Sequence, residues 1–533
     1  MLQRLFVLAF IFAIELVVIS VLLDNDTLTP GGFLTRLVGG WGPWVLRGIV
    51  GFAGLFVTFA YLKSRAALDQ ISSRVVEIPI RQGALAAHCA AMVIFGSLSA
   101  VLYGSRLSGY WSDRVAVSWL AAGVSAIAFA AFAFIPPAVW VKVVRSDGHL
   151  WAYALIAVIL ACLVGNTSRS FWQPATHVTF RLVRALLSPL ISGFISDPAT
   201  MAIGTHRFQV LIAPECSGFE GAGLILAFGI TWLWLFRQEC RFPQALILIP
   251  AGVTLIFLLN AVRLAVLILI GNAGAPRIAL GGFHSQAGWI AFNAVALGFS
   301  VAARRVPWLT TREPDRGAFD KSSSNPTAAY LVPFLMILAT GMISRAATGD
   351  FEWLYPLRFF AAAGALWVFR RRYAGLDWKF GWFAPGVGAL VFVLWIAFDR
   401  FANVHADDAI PSALAASSAP ARMAWIVCRT LAAVLTVPIA EELAFRGYLI
   451  RRLMSPEFES ISARSFTWFA LLASSAAFGL LHGDRWFAAT VAGVLYGLAL
   501  VRRGRIGDAV AAHALTNALL AVYVLAFHQW HLW

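Results

Sequence analysis

Residues 255–268 read Leu-Ile-Phe-Leu-Leu-Asn-Ala-Val-Arg-Leu-Ala-Val-Leu-Ile, inside an apolar run that covers residues 244–270. A run of this length crosses the hydrocarbon core of a bilayer as a helix. Comparable runs recur along the whole chain, at residues 3–23, 42–62, 83–104, 116–141, 150–165, 219–236, 286–302, 328–344, 356–370, 382–399, 424–443, 466–482, 486–501 and 507–527. Each run is continuously apolar, whereas the strands of a membrane barrel alternate. The sequence therefore predicts an all-α polytopic membrane protein with about 15 transmembrane helices.

The composition agrees with a lipid environment. Hydrophobic residues make up 60% of the 533 residues, charged residues make up 13%, and the mean hydropathy is +0.78. Soluble domains carry about 25% charged residues. The net charge of +15 comes from Lys and Arg in short loops, which indicates the positive-inside bias of a multi-spanning protein and argues against nucleic-acid binding. The five cysteines include no Cys-x-x-Cys pair, so their spacing indicates neither zinc nor a disulfide framework. No cofactor is expected.

A polar stretch divides the chain. Residues 306–327 contain Thr-Thr-Arg-Glu-Pro-Asp-Arg and Lys-Ser-Ser-Ser-Asn-Pro and have the composition of a linker. We therefore predict two helical-bundle domains, at residues 1–305 and 328–533. If the N-terminus is cytoplasmic and eight spans precede the linker, the basic clusters of the first domain all fall on the cytoplasmic side. The segment 166–217 and the loop before residue 286 then lie outside.

Three residues far apart in the sequence meet at the outer leaflet under this topology. Cys216 lies in Ala-Pro-Glu-Cys-Ser-Gly-Phe-Glu-Gly, residues 213–221, just before an apolar helix whose N-terminus stabilises a thiolate. Arg263 shares a helical face with Asn260, and an intramembrane Arg usually faces a polar cavity, where it stabilises an oxyanion or anchors a carboxylate. His284 is a candidate general base and acid for the thiol. Each also has a structural reading: a packing Cys, an Arg satisfied by carbonyl groups, and a loop His.

The ordered motifs Pro-Glu-Cys-Ser-Gly, Asn-Ala-Val-Arg and Phe-His-Ser-Gln-Ala-Gly-Trp resemble those of the exosortase family of prokaryotic transpeptidases, over roughly residues 1–305. The resemblance implies an enzyme on the outer face of the bacterial cytoplasmic (inner) membrane. Cys216 would be its nucleophile, His284 the proton shuttle and Arg263 the transition-state stabiliser. Its expected partners are exported proteins that end in a short motif, a hydrophobic helix and a basic tail. The acyl group would pass to an acceptor that the sequence does not identify.

A second polar set lies near the C-terminus. It consists of Glu441, Glu442, Arg446, His482, His513 and Asn517. Glu442 and Arg446 are four residues apart and can pair on one helical face, which is also the structural alternative for them. A carboxylate with two His could bind zinc, or it could activate water while His and Asn hold the oxyanion. The span assignment leaves Glu441 and His513 towards the cytoplasmic side and His482 towards the outer side.

The patterns Glu-Glu-x-x-x-Arg, Phe-x-x-x-His and His-x-x-x-Asn resemble those of the CPBP family of intramembrane glutamate proteases, which is related to CAAX prenyl endopeptidases. Coverage is roughly residues 330–530. The resemblance implies Glu441 as the base for water, with Glu442 and Arg446 in support and without a metal. The two His and the Asn would stabilise the tetrahedral intermediate.

Both halves together resemble the fused exosortase E/protease type, whose substrates carry a Val-Pro-Glu-Ile-Asp signal. The favoured function is a membrane sorting enzyme whose second half hydrolyses a peptide bond, with the residual transmembrane signal as the expected substrate. One alternative is a transporter or export protein in which Arg263 and Glu442 line the path, although no inverted repeat is evident. Another is an exosortase whose C-terminal half is a non-catalytic binding module.

Overall fold

The computed structural model describes residues 79–104, 109–139, 173–191, 193–213, 216–311, 325–399 and 409–533, with isolated positions at 8, 11–12, 15, 33, 141, 152 and 155–156. By internal contacts the chain divides into two compact units, Met1–Ser170 and Phe171–Trp533. The predicted spans at 3–23, 42–62 and 150–165, and most of the predicted linker, fall outside the described residues.

The described part of the first unit is a pair of packed helices, α1 (Gln82–Gly104) and α2 (Gly109–Phe134). Small residues of α2 are fully buried, among them Ala126 and Ala130, and small residues allow membrane helices to approach closely. A Cβ at Gly123 would lie 2.9 Å from the ring of Phe95. The absence of a side chain there makes room for the ring.

The second unit begins with a helix and a small sheet. Helix α3 spans residues 173–187 and is followed by the antiparallel strands β1 (Ile195–Asp197), β2 (Ala202–Gly204) and β3 (Gln209–Leu211), in the order β1-β2-β3. The sequence did not predict this sheet, because three-residue strands are too short for an alternating pattern to stand out. Ile203 of β2 is fully buried in a core with Leu187 of α3 and Ile268.

Among the described residues, three long helices follow the sheet, and further helices of eight or more residues follow the predicted linker. The first three are α4 (Phe219–Leu235), α5 (Leu248–Asn272) and α6 (His284–Arg305). The others are α7 (Pro326–Ala346), α8 (Pro356–Val368), α9 (Phe383–Asp399), α10 (Ala409–Ala416), α11 (Ala419–Met454), α12 (Trp468–Leu480), α13 (Trp486–Arg503) and α14 (Ile506–Phe527). Helix α11 contains two π-helical segments, Ala432–Thr436 and Leu443–Leu449, and Glu441 and Glu442 lie between them.

Within the described residues, eight helices are long and apolar enough to cross a membrane, and four further apolar helices are shorter. The prediction of an all-α polytopic membrane protein is confirmed. The predicted spans in the described part of the chain correspond to these helices, with ends that differ by a few residues. The main difference is α11, which extends the predicted span 424–443 to 36 residues.

Candidate active sites

The turn that carries Cys216 is held by its neighbours. Gly218 has a φ of 84°, in the left-handed region that glycine adopts readily. The hydroxyl of Thr179, on α3, donates to the carbonyl oxygen of Ser217 at 2.8 Å, and Thr179 is fully buried. Helix α3 therefore fixes the position of Cys216 at the start of α4.

Asn260 and Arg263 of α5 face this turn. Asn260 Nδ2 donates to the carbonyl oxygen of Cys216 at 2.9 Å, and a Cβ at Gly218 would come within 2.9 Å of the same amide nitrogen. The Arg263 guanidinium interacts electrostatically with Cys216 and Glu220. Its Nε is buried and has no hydrogen-bond partner among the described residues. The arginine thus retains a donor beside the thiol.

His284 reaches the same guanidinium from another element. It begins α6 directly after a π-helical turn, Ala279–Phe283, and interacts electrostatically with Arg263. A hydrogen bond connects this turn to the loop after α7, since Gly282 N donates to Thr348 O at 3.2 Å. In the structure, Cys216 and His284 therefore both interact with the guanidinium group of Arg263.

A cavity of about 180 Å³ opens at this point. Its lining includes Gly218, Glu220, Asn260, Arg263 and Gly288. Peptide-cleaving chemistry needs room for a carbonyl group beside the nucleophile and a donor aimed at the developing oxyanion. Arg263 and Asn260 line the cavity and carry N–H donors of this kind, whereas Cys216 and His284 are not among its lining residues.

Gly288 gives a test of the arginine position. A Cβ there would lie 2.9 Å from Arg263 Nη1, so Gly288→Ala should push the flexible guanidinium away without disturbing the backbone. A shift of about 1 Å costs up to about 100-fold in rate, and we expect a ten- to hundredfold loss of Cys216-dependent cleavage at an unchanged protein level. Gly298→Ala, on the same helix with nothing within 4 Å of the added carbon, should be normal. Equal rates for both variants would contradict the assigned role of Arg263.

The second set is built around a buried charge pair. Glu442 Oε1 lies 3.1 Å from Arg446 Nη1 and accepts a hydrogen bond from His513 Nδ1 at 2.9 Å. The side chains of Glu442 and Arg446 are 0% and 1% exposed. Arg446 Nη2 also donates to Gly493 O at 3.2 Å. The predicted i, i+4 pair is present, and its carboxylate fixes the His513 ring through the hydrogen bond from Nδ1.

Glu441 faces the opposite side of the same imidazole. Its Oε2 lies 3.9 Å from His513 Nε2 and has no hydrogen-bond partner in the described part of the chain. Because the Glu442 carboxylate accepts from Nδ1, that nitrogen carries the proton and Nε2 is turned towards Glu441. Tyr496 stacks on the ring, with centroids 4.8 Å apart at 16°. A water molecule can contact both Glu441 Oε2 and His513 Nε2.

His482 and Asn517 complete this site. His482 Nδ1 donates to Phe478 O at 2.9 Å, and Asn517 Nδ2 donates to Ala433 O at 2.8 Å. Both side chains line a cavity of about 310 Å³ together with Glu441 and His513. The predicted spans had put His482 on the opposite side of the membrane from Glu441 and His513. The difference arises because α12 has only 13 residues and rises about 20 Å, less than the roughly 30 Å of the hydrocarbon core.

No group of three or more His, Cys, Asp or Glu side chains is arranged to hold a metal ion among the described residues.

Breaking the buried pair should destabilise the C-terminal half. Glu442→Gln leaves Arg446 charged and without its carboxylate, and removing one partner of a buried pair costs about 3–5 kcal/mol. We expect a marked fall in the thermal unfolding temperature of the purified protein in detergent. The double variant Glu442→Leu with Arg446→Met removes both charges, and its unfolding temperature should fall less than that of Glu442→Gln. A single variant as stable as the parent would mean that the pair is solvated.

Several residues of the two sites were not identified from the sequence. They are Thr179, Gly288 and Tyr496. Thr179 lies on α3 in a stretch that also contains Arg181 and Arg184. Nothing in the pattern showed that its hydroxyl would meet Ser217, since that contact depends on tertiary packing.

Comparison with known families gives two matches. Residues 42–301 match the transmembrane exosortase family, and residues 423–519 match the type II CAAX prenyl endopeptidase Rce1-like family. No curated protein and no solved structure matches the chain. The two matched segments contain all nine predicted site residues.

Proposed function

Because the chain joins an N-terminal exosortase domain to a C-terminal domain of the CAAX protease type, we propose that it is a membrane-bound cysteine transpeptidase fused to an intramembrane glutamate-type endopeptidase. The family matches support a multi-pass membrane protease that acts in protein sorting. The observation that carries the finer assignment is the single guanidinium of Arg263, which interacts with both Cys216 and His284.

In the first reaction the Cys216 thiolate attacks the carbonyl carbon of the sorting signal. His284 takes the thiol proton and returns it to the nitrogen of the leaving peptide, so that the C–N bond breaks and a thioester forms. Arg263 and Asn260 donate to the oxyanion. An acceptor nucleophile, or water, then attacks the thioester, loses its proton to His284 and regenerates the thiol.

In the second reaction Glu441 removes a proton from water, and the resulting hydroxide attacks a peptide carbonyl carbon. The proton passes to the leaving nitrogen. Glu442 and Arg446 keep the His513 ring in place, and the remaining Nδ2 proton of Asn517 is free for the oxyanion. Glu441 suits the role of base because its Oε2 lacks a hydrogen-bond partner among the described residues.

The basic loops between the spans support a cytoplasmic N-terminus by the positive-inside rule. We accordingly assign the chain to the bacterial cytoplasmic membrane, with the Cys216 site on the outer face. Its substrates are exported proteins that end in a motif, a hydrophobic helix and a basic tail.

The test is co-expression with an exported reporter that ends in Val-Pro-Glu-Ile-Asp, an apolar helix and a basic tail. We expect the mass of the reporter to fall to that of a chain cut at the motif, with or without an added acceptor. A second reporter lacks the motif and keeps the helix and tail, and it should stay intact. Equal processing of both reporters would exclude motif-directed sorting.

A further inference from the structure

The cavity of the second site has cationic lining residues. Arg358 and Arg429 line it together with Glu441 and His513. Both guanidinium groups lie over the ring of Tyr355, with Cζ 4.6 Å and 4.2 Å from its centroid. Two positive charges are thus held against one aromatic ring that also lines the cavity.

These charges are incompletely neutralised. Arg358 pairs with Glu352, but its Nε is buried and lacks a hydrogen-bond partner, and so does the Nε of Arg429. No hydrogen bond satisfies Arg429 within the described residues. Arg345 adds a third positive charge, since it interacts with both Arg358 and Glu352. Glu352 is therefore the carboxylate side chain that Arg345, Arg358 and Arg429 share among the described residues, and buried donors of this kind are usually paired.

We propose that Arg358 and Arg429 form a subsite for the C-terminal carboxylate of a peptide whose scissile bond lies at Glu441. The inference rests on the proposed hydrolysis at the second site. A guanidinium binds a carboxylate through directed, charge-assisted hydrogen bonds. Arg429 and Glu441 are 12 positions apart on α11, or about 18 Å at 1.5 Å per residue. An extended peptide covers this distance in about five residues.

The location of the subsite explains which peptide would enter. The loop between α7 and α8 carries Glu352, and the same loop accepts the hydrogen bond from Gly282, two residues before His284. A hydrogen bond therefore connects the segment before His284 to the loop that supplies Glu352 to Arg358. The first reaction leaves a new ammonium group on the anchor fragment, whereas hydrolysis of the thioester leaves a new carboxylate on the released chain. Excess guanidinium charge repels the former and attracts the latter, which argues against the residual signal as substrate.

The test uses the full chain in detergent and peptides about twelve residues long, more than twice the expected span. Each sequence is made with a free C-terminal carboxylate, as the C-terminal amide, and as the amide with Glu in the last position. We expect kcat/KM for the free acids to exceed that for both amides by about ten- to hundredfold, with the cut about five residues from the end.

Variants separate the subsite from the catalytic group. Arg429→Gln should abolish the preference for the free acid, Arg429→Lys should keep part of it, and Arg422→Gln should leave it intact. Arg422 lies on the same helix and donates to Leu414 O, outside the cavity. If Arg429→Gln also loses Cys216-dependent processing, it is misfolded, and the acid and amide peptides on the parent chain decide the question.

The outcomes distinguish the two claims. Glu441-dependent hydrolysis that is equal for acid and amide overturns the carboxylate subsite and leaves the proposed protease standing. Equal cleavage of the amide that ends in Glu shows that the arginines bind a side chain, which also overturns the inference. If no peptide is cut, the proposed hydrolysis at Glu441 is contradicted. The subsite rests on that hydrolysis and falls with it.

Discussion

Cys216→Ala should abolish cleavage of the Val-Pro-Glu-Ile-Asp reporter, with a loss of at least about 10³-fold. In the proposed mechanism the Cys216 thiol forms the covalent intermediate, and Arg263 and His284 act on that thiol and on its adduct. The measurement is the mass of the reporter in a pulse–chase experiment. Cys216→Ser should be almost as inactive, because a hydroxyl is far less ionised than a thiol beside the same guanidinium.

Cys89→Ala is the matched control. Cys89 is exposed on α1, so its removal deletes a thiol without touching the cavity, and full processing is expected. Because both proposed reactions reside on one chain, peptide hydrolysis by the Cys216→Ala protein reports whether it is folded. Normal reporter processing in that folded variant would refute a cysteine mechanism.

The helices were predictable from the sequence to the extent that hydropathy alone determines them. Runs such as 244–270 have no other stable environment than the bilayer, and α5 occupies Leu248–Asn272. The ends of α11 were not predictable in this way, because the polar Glu441, Glu442 and Arg446 interrupt the apolar signal. The structure continues the helix through them with two π-helical segments, a feature that often occurs at functional sites.

The site residues were predictable where a polar group stands in an apolar run. Arg263 was found by this argument, and the same cost of burying a charge applies to Arg429 in α11. Arg429 lies near the start of the predicted span 424–443, where the guanidinium can reach the membrane–water interface. Its position in the sequence therefore did not mark it as a site residue. The sequence does not show which elements lie close together. Tyr355 lies in the loop before α8 and Arg358 lies in α8, and only the fold brings them to Arg429.

The same limit applies to Glu441 and Glu442, which the sequence presents as equivalent neighbours. The structure separates them. Glu442 is fully buried and engaged by Arg446 and His513, whereas Glu441 lines the cavity. Successive helical residues point about 100° apart, so only one of the two can reach a substrate while the other supports it.

Glu441→Gln should therefore remove peptide hydrolysis by at least about 10³-fold while the protein stays folded. The amide has the size of the carboxylate, so the cavity keeps its shape, but it cannot take a proton from water. Glu442 and Arg446 remain paired, and the reporter should still be cut at Cys216. Peptide products are followed by mass spectrometry, beside Glu457→Gln, which alters an exposed carboxylate remote from the cavity. A Glu441→Gln protein that hydrolyses peptides at the parental rate would transfer the role of base to His482 or His513, and one that also fails to process the reporter would show that the first reaction depends on the second.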